Sequence, residues 1–504
     1  MSKAENILTI RNLTKRFYGS LALDHVDFSL EKGEIHALIG ENGAGKSTFI
    51  KILAGVYACD GGEITLDGQV VDPRTDSLSI AFVHQDPAFA EELSVGENIA
   101  FGMGYPRRRG LIDWSAVKAQ AVKIYEAMEI APLDPDRLVS TLTAPEKAIL
   151  AIVRTLALAP KVLVLDEPTA ALPEADSVQL FKAMRRLRSL GTSMIYVSHR
   201  LNELFGLADR VTVFRNGRHI VTEPMAGATG DGLIEHMLGR PPVKLSGADP
   251  RAETRGSAVL EVRDLTIGGR GPVSFEAQAG EILGLVGLRG GGQEAIGRAI
   301  FGALPITSGV IILNGKPLPQ KRSIGDSIEF GIRLLAGDRS AESAFAGMNL
   351  VENIFVNPRI RGGSMWRWTS PAREREEARQ IIDRFDVRPR REASLIDWLS
   401  GGNQQKTCLA RWLNDQGDLV ILEEPTSGVD IGAKLAIHKI LRGYAAGGRT
   451  MLVISTDLEE VAALCDRAII VSRGRQISEL AGPELTLDQL VSHSSQGGRH
   501  AVSI

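Results

Sequence analysis

The sequence predicts an α/β protein in which one type of domain occurs twice. A glycine-rich loop at residues 40–48 (GENGAGKST) lies between an apolar run at 36–39 and a segment at 49–53 that can start a helix. Related segments recur in the second half, where the loop returns at 287–294 as GLRGGGQE. Short β-branched runs alternate with helical patterns along the chain, as in buried parallel sheets. Together these observations predict an α/β core with an inserted helical subdomain in each copy.

Length and composition limit the class of protein. A chain of 504 residues suggests two or more domains, and its net charge of −3 provides no overall attraction to nucleic acid or anionic lipid. The cysteines, Cys59, Cys408 and Cys465, have neither a zinc spacing nor a disulfide pattern, as expected in a reducing cytosol. The first ten residues lack a signal-peptide core, and the longest apolar stretch, 148–153, is too short to span a bilayer. We therefore expect any membrane role to come through a partner.

The repeats define the domain organisation. The segment ILTIRNLT at 7–14 recurs as VLEVRDLT at 259–266. Between the copies lies a polar stretch rich in Pro, Gly and Ala, which is typical of a linker. Periodicity is lost at the C-terminus, where we expect a loose tail. The predicted parts are a first domain at 1–240, a linker at 241–257, a second domain at 258–493 and a tail at 494–504.

The loop at 40–48 matches the G-x-x-x-x-G-K-[ST] pattern of phosphate-binding loops. Its glycines let backbone N–H groups curl around an anion, and the helix start adds partial positive charge. Lys46 can then reach the β- and γ-phosphates of a nucleotide, and the Ser47 hydroxyl can ligate Mg²⁺. The loop thus predicts ATP and Mg²⁺ as cofactors. The predicted contact residues are Gly40, Glu41, Asn42, Gly43, Ala44, Gly45, Lys46, Ser47 and Thr48.

Two adjacent acidic residues follow a strongly apolar run. The segment VLVL at 162–165 predicts a buried strand, and it delivers Asp166 and Glu167 to its carboxyl end. Asp166 can hold Mg²⁺, and Glu167 can polarise a water molecule against the γ-phosphate. Neighbouring carboxylates without a cation would repel each other, so a purely structural role explains the pair poorly.

Three further residues are candidates for the nucleotide site only because of their order along the chain relative to the loop and the acidic pair. Phe17 precedes the loop by about twenty residues, where an aromatic ring can stack on adenine; a half-buried aromatic at a strand end is an equally good interpretation of its position. Gln85 and His199 each end an apolar run. Alone, a glutamine or a histidine at a strand end is usually structural.

In this order, the motifs resemble those of the ABC ATPases. The resemblance implies domains with a mainly parallel core sheet, an antiparallel β part and an inserted helical subdomain. It implies that Gln85 contacts Mg²⁺ and the attacking water, and that His199 bonds the γ-phosphate and orients this water. It also implies a signature, LSGGQ, at a helix start before the acidic pair. The first copy reads LTAPE at 142–146, where Pro145 replaces the second glycine.

The second copy departs from the family in complementary places. Gln293 and Glu294 replace the lysine and the hydroxyl of the loop, and the acidic pair becomes Glu423 and Glu424, of which Glu423 still offers a carboxylate for Mg²⁺. Thr456 stands at the histidine position. By contrast, the second copy keeps an intact signature, LSGGNQQK at 399–406, and the aspartate of the next contact loop, Asp430.

The first copy keeps the phosphate loop and the second keeps the signature. This division of the motifs is explained if the copies pair head to tail, within one chain or between two. Each pocket then takes its loop from one copy and its signature from the other, and only one pocket is complete. Its predicted residues are Phe17, Lys46, Ser47, Gln85, Asp166, Glu167 and His199 against Ser400, Gly401, Gly402 and Asp430.

The chain resembles the ATP-binding subunits of bacterial ribose, xylose and galactose importers. It shares with them the tandem arrangement of two domains, the LSGGNQQK signature and the later run EPTSGVDIGAK at 424–434. This implies a peripheral protein at the cytoplasmic face of the inner membrane, docked on two transmembrane permease subunits that receive sugar from a periplasmic binding protein.

One alternative is a soluble tandem ABC ATPase that remodels a ribosome or DNA complex. It predicts a long charged linker, zinc cysteines or a basic face, none of which the sequence shows. Another is a module that binds ATP without hydrolysing it, which an intact Glu167 disfavours.

Overall fold

The computed structural model describes residues 5–17, 20–84, 88–169, 174–198, 201–241, 257–287, 290–357, 370–414 and 417–499. The chain divides into two compact units, Met1–Pro242 and Val243–Ile504. Each unit is built from parallel and antiparallel sheets with helices, so the predicted α/β class is confirmed.

Unit 1 contains an antiparallel sheet, a larger mainly parallel sheet and a short hairpin. Its strands are β1 (Asn6–Phe17), β2 (Ser20–Glu31), β3 (Ile35–Ile39), β4 (Gly61–Leu66), β5 (Gln69–Val70), β6 (Ile80–Val83), β7 (Arg107–Arg108), β8 (Leu111–Ile112), β9 (Val162–Asp166), β10 (Ser193–Val197), β11 (Arg210–Arg215) and β12 (Arg218–Pro224). The antiparallel sheet has the order β2-β1-β4-β5. The larger sheet has the order β12-β11-β3-β10-β9-β6, and all of its strands are parallel except β12.

The helices of unit 1 are α1 (Lys46–Leu53), α2 (Val95–Met103), α3 (Trp114–Ala127), α4 (Ala144–Leu156), α5 (Glu174–Ser189), α6 (Leu201–Leu204) and α7 (Gly230–Leu238). The helix predicted within residues 113–130 is α3. Asp113 caps it, because its carboxylate accepts a hydrogen bond of 3.1 Å from the N–H of Ala116. Helices α2, α3 and α4 all lie between β6 and β9 in the chain and form the inserted helical part.

Unit 2 repeats this topology. Its strands are β13 (Ala258–Ile267), β14 (Arg270–Gln278), β15 (Ile282–Val286), β16 (Ser308–Leu313), β17 (Lys316–Pro317), β18 (Ile332–Leu335), β19 (Leu419–Glu423), β20 (Thr450–Ser455), β21 (Arg467–Ser472) and β22 (Arg475–Ala481). The antiparallel order is β14-β13-β16-β17, and the larger sheet runs β18-β19-β20-β15-β21-β22, which matches unit 1 strand for strand.

The helices of unit 2 are α8 (Gln293–Ile300), α9 (Ile324–Glu329), α10 (Leu350–Phe355), α11 (Pro371–Arg384), α12 (Gly401–Leu413), α13 (Ile431–Ala446), α14 (Leu458–Leu464) and α15 (Leu487–Arg499). Short 3₁₀ turns lie at Val139–Thr141, Met225–Gly227, Ile396–Trp398 and Gly482–Glu484, and one π-helical turn lies at Arg339–Ser343. Within the described ranges, none of the helices combines the length and the apolar character needed to cross a bilayer.

The larger sheet of unit 1 brings its functional candidates to one edge. Its central strands β3 and β10 are fully buried, since they consist almost entirely of apolar residues. In the parallel register, Val197 pairs with Leu38 on one side and with Asp166 on the other. The glycine-rich loop after β3 and the acidic pair at the end of β9 therefore lie at the same edge of the sheet.

Residues 494–499 of the predicted tail belong to helix α15. Helix α15 continues through Arg499 because tertiary packing supplies the stability that local periodicity does not. Leu490 is fully buried on this helix, and the ring of His493 lies 3.0 Å from the hydroxyl of Ser478. Most of the predicted linker, residues 242–256, lies outside the described residues.

Candidate functional site

The loop of unit 1 has a backbone that requires glycine. Gly43 and Gly45 have φ values of +84° and +103°, which side chains other than glycine rarely adopt. A Cβ at Gly45 would also lie 2.7 Å from Leu23 Cδ2 and 2.8 Å from the carbonyl oxygen of Ala22. The loop therefore closes tightly on β2 and ends where α1 begins, at Lys46.

The ammonium of Lys46 is held inside this loop. Its Nζ donates to the carbonyl oxygens of Gly40 and Glu41, at 2.6 and 3.1 Å, and the residue is buried. Ser47, the next residue, is exposed at the start of α1. The structure thus places a cation, a hydroxyl and a helix N-terminus around one small loop, which is the set of groups that binds a polyphosphate.

The acidic pair ends β9 beside this loop. Burial, and then the negative charge of Glu167, raise the pKa of Asp166, while the positive charges of Lys46 and Lys51 oppose this. Among the described residues, neither a hydrogen bond nor an ion pair to the Asp166 carboxylate is found. A half-buried carboxylate of this kind is stabilised by a cation. The Asp166 carboxylate and the Ser47 hydroxyl are hard oxygen donors, and such a donor set suits Mg²⁺.

Glu167 stands where the chain turns away from the strand. Its φ is +51°, and its N–H donates to the carbonyl oxygen of Val197 at 3.0 Å, which fixes the backbone at the sheet edge.

Gln85 and His199 lie outside the described residues, so their roles stay predictions. Phe17 is half-buried at the end of β1. Its ring makes an edge-on contact with that of Tyr57, with the ring centroids 5.1 Å apart. Stacking of Phe17 on adenine also stays a prediction.

The segment of unit 1 at the signature position uses its polar groups internally. Thr143 precedes α4, and its hydroxyl donates to Oε2 of Glu146 at 2.9 Å. Both Glu146 oxygens are also bonded by Arg137, at 2.6 and 3.0 Å, and this pairing lowers the pKa of Glu146. Pro145 in the first turn has no N–H. This helix start therefore presents fewer donors than a serine followed by two glycines.

The signature of unit 2 has the opposite character. Gly401 and Gly402 open α12. A Cβ at Gly401 would lie 2.9 Å from the carbonyl oxygen of Gly428, and a Cβ at Gly402 would lie 2.4 Å from the Cβ of Ala433, so both would clash. The glycines thus allow α12 to lie against α13. Asp430 caps α13 by accepting a 2.7 Å hydrogen bond from the N–H of Ala433. Ser400, Gly401, Gly402 and Asp430 are therefore brought together within unit 2.

Sequence reasoning gave no role to Asn403, which positions the Ser400 hydroxyl. The Asn403 side-chain amide donates to Ser400 Oγ at 2.9 Å, and its oxygen accepts from the N–H of Arg388 at 2.8 Å. The second bond fixes which end of the amide faces the serine. Because the Ser400 oxygen accepts this bond, the proton of its hydroxyl stays available for donation to another group. The asparagine of the LSGGN run was the only signal available in the sequence.

The loop of unit 2 keeps its shape and loses its charge. Gln293 begins α8 fully buried, and its Nε2 donates to the carbonyl oxygen of Gly287 at 3.2 Å, the same bond that Lys46 makes to Gly40. Gly292 has a φ of +99°, close to that of Gly45. The neighbouring Glu294 is exposed. A neutral amide next to an acid attracts phosphate far less than an ammonium next to a hydroxyl does.

An arginine pairs with Glu423, the carboxylate of unit 2 that corresponds to Asp166. Glu423 is buried, and its two oxygens accept from Nε and Nη2 of Arg298, both at 2.9 Å. Arg298 also bonds Glu342, at 2.7 and 3.2 Å, and these carboxylates raise the pKa of its guanidinium. The carboxylate that sequence reasoning left available for Mg²⁺ is therefore already paired.

Glu424, at the position that corresponds to Glu167, is also bonded within its own unit. Its oxygens accept from the Ser455 hydroxyl at 3.0 Å and from the Thr456 N–H at 2.7 Å. Burial raises the pKa of Glu424. Thr456, at the position that corresponds to His199, thus holds this carboxylate through its backbone N–H.

Comparison with known proteins identifies relatives over nearly the whole chain. The ABC transporter family model matches residues 23–170 and 271–427. The ribose import ATP-binding protein RbsA of Ruegeria sp. is 39% identical over 99% of this chain and 98% of its own length. The putative ribose/galactose/methyl galactoside import ATP-binding protein 3 of Burkholderia ambifaria is 38% identical over 97% of this chain and 96% of its own. A solved nucleotide-free ATP-binding cassette from an ABC transporter is 26% identical, with a TM-score of 0.41, and covers 47% of this chain and 97% of its own.

The Asn403 contact generates a first prediction. Asn403→Ala removes the amide that holds the Ser400 oxygen, so we expect kcat for ATP hydrolysis to fall by roughly tenfold, with KM for ATP changed little. Steady-state phosphate release measures both constants. The matched control is Asn414→Ala, at the other end of the same helix. An unchanged kcat in Asn403→Ala would contradict the positioning role.

Proposed function

Since the chain belongs to the ABC transporter family and is an ATPase of that family, we propose that it is the ATP-hydrolysing subunit of an importer for monosaccharides of the ribose or galactose type. The observation that carries the proposal is the near full-length similarity to ribose and galactose import ATP-binding proteins. The geometry of the Lys46 loop and of the acidic pair beside it supports ATP hydrolysis by unit 1.

The proposed reaction takes place at the phosphate loop of unit 1. Lys46 and the loop amides bind the β- and γ-phosphates, and Ser47, Asp166 and Gln85 would hold Mg²⁺, which supplies charge neutralisation between the phosphates. Glu167 accepts the proton of the attacking water, and His199 orients this water. The raised pKa of Asp166 fits a carboxylate that binds a cation during the cycle, because a cation stabilises its charged form.

The signature of unit 2 completes this site in our proposal. The Ser400 hydroxyl and the amides of Gly401 and Gly402 meet the γ-phosphate from the side opposite the loop, when the two domain types pair head to tail within the chain or with a second copy. The hydrogen bonds of Asn403 and Thr143 support this assignment, since the first prepares Ser400 for a ligand and the second uses the hydroxyl internally.

The second site does not turn over in this proposal. Its loop has lost the lysine, and its metal position is filled by Arg298. Its glutamate is held by Ser455 and Thr456. ATP binding and hydrolysis at the single complete site then close and reopen the paired domains, and this motion drives alternating access in the permease.

The proposed partners are two transmembrane permease subunits, with a periplasmic sugar-binding protein acting through them. The chain would lie on the cytoplasmic face of the inner membrane as a peripheral subunit. The import function in the names of the relatives supports this assignment over the alternative, a soluble ATPase acting on ribosomes or DNA. The net charge of −3 also disfavours a nucleic-acid partner.

Transport in reconstituted membranes tests the proposed function. We expect the chain, together with two sugar permease subunits and a sugar-binding protein, to drive ATP-dependent uptake of ribose, xylose or galactose. Glu167→Gln removes the base that accepts the water proton, and uptake should cease, whereas the exposed Glu63→Gln should transport normally. A chain that stays off these membranes and sediments with ribosomes or DNA would refute the importer assignment.

The single complete site predicts an unequal response of the two helix starts. Ser400→Ala removes a donor to the γ-phosphate, so we expect kcat to fall by roughly 10²-fold. Thr143→Ala is the matched control, and its kcat should stay within about twofold of wild type. Equal losses in the two variants, measured as steady-state ATP hydrolysis, would contradict a single working site.

A further inference from the structure

An arginine that the proposed mechanism does not use lies beside the signature of unit 2. Arg339 follows β18 and begins the π-helical turn Arg339–Ser343, which Asp338 caps by accepting a 2.9 Å hydrogen bond from the N–H of Ala341. In unit 1 the segment after β6 contains Gln85 and Pro87, and Pro87 stands at the position that corresponds to Arg339. The arginine therefore occurs only in the copy whose signature is intact.

The guanidinium of Arg339 covers the first glycine of the signature helix. A Cβ at Gly401 would lie 3.2 Å from Nη2 and 3.6 Å from Nη1 of Arg339, and a Cβ at Gly428 would lie 3.9 Å from Nη2. The guanidinium thus lies between the start of α12 and the turn that leads to Asp430. This is the region where the proposed site receives the γ-phosphate.

Arg339 is poorly satisfied there. Among the residues that the structure describes, its only hydrogen bond runs from Nη1 to the carbonyl oxygen of Ser427 at 3.5 Å, the long limit for such a bond. Within the described part of the chain, its buried Nε has no partner and no carboxylate forms an ion pair with its side chain. A guanidinium has five N–H donors in a planar fork that suits phosphate oxygens. A cation left in this state points to an anionic ligand.

We propose that Arg339 is a further catalytic residue, which donates to the γ-phosphate of ATP beside Ser400 and the amides of Gly401 and Gly402. This inference rests on the proposed pairing of the unit 1 loop with the unit 2 signature. As water attacks the γ-phosphorus, the bond to the ADP oxygen breaks and Glu167 takes the water proton. Arg339 forms and breaks no covalent bond; it stabilises the negative charge of the transferring phosphoryl group.

The test compares Arg339→Ala with the exposed control Arg373→Ala, on α11 in the same unit. We expect kcat of Arg339→Ala to fall by roughly 10²-fold, with KM for ATP changed little and the melting temperature close to that of wild type. Arg339→Lys should restore part of kcat because it returns the charge, whereas Arg339→Gln should not. Millimolar guanidine hydrochloride, added to Arg339→Ala alone, should also raise kcat.

Trapping with MgADP and orthovanadate, a mimic of the transferring phosphoryl group, separates chemistry from folding. Arg339→Ala should lose trapping and still bind ATP through the Lys46 loop, whereas a variant impaired only in folding would lose both. Normal kcat and trapping in Arg339→Ala, or no gain from lysine or guanidine, would overturn the role of Arg339. If Ser400→Ala in parallel also kept full activity, the proposed pairing itself would fail; if only Ser400→Ala lost activity, the pairing would stand without Arg339.

Discussion

The positive charge of Lys46, buried in a loop that only glycine can form, is the constraint on which the rest of the account depends. The loop shape comes from the left-handed backbone at Gly43 and Gly45 and from the close approach of Gly45 to β2. Unit 2 shows that shape and charge are separable, because Gln293 keeps the bond to the loop carbonyl without the ammonium. A neutral loop can therefore keep its shape without the charge that attracts a polyphosphate. The difference between the two units is therefore electrostatic, while their topology is the same.

The metal positions show the same contrast. Asp166 carries a raised pKa beside another carboxylate and is suited to receive a cation. Glu423 already has one, because both of its oxygens are bonded to Arg298. Separating a buried carboxylate from its partner is costly, since the charge is left without solvent. A divalent cation would have to displace a guanidinium that the fold itself supplies. The ion pair thus stabilises the Glu423 carboxylate within its own unit.

Much of this could be predicted from the sequence, because the decisive motifs are local. The loop at 40–48, the acidic pair after a buried strand and the signature at 399–406 each fit within a few residues, and the repeat gave the α/β class and its duplication. The Arg298–Glu423 pair and the contact of Arg339 with the start of α12 join residues that lie far apart in the chain, so local patterns do not connect them. The orientation of the Asn403 amide towards Ser400 likewise depends on the N–H of Arg388, outside the signature. Helix α15 was not predicted for a similar reason, since Leu490 and His493 stabilise it through contacts with distant parts of the chain.

Counting the nucleotides held by a chain that cannot complete hydrolysis tests the central claim most directly. Equilibrium dialysis of radiolabelled ATP against Glu167→Gln, with Mg²⁺ present, should give one tightly bound ATP per chain. That ATP should be lost when Lys46→Ala is added and kept when Gln293→Ala is added instead. Two ATP molecules of similar affinity per chain, or one that survives Lys46→Ala, would contradict a single working site built on the loop of unit 1.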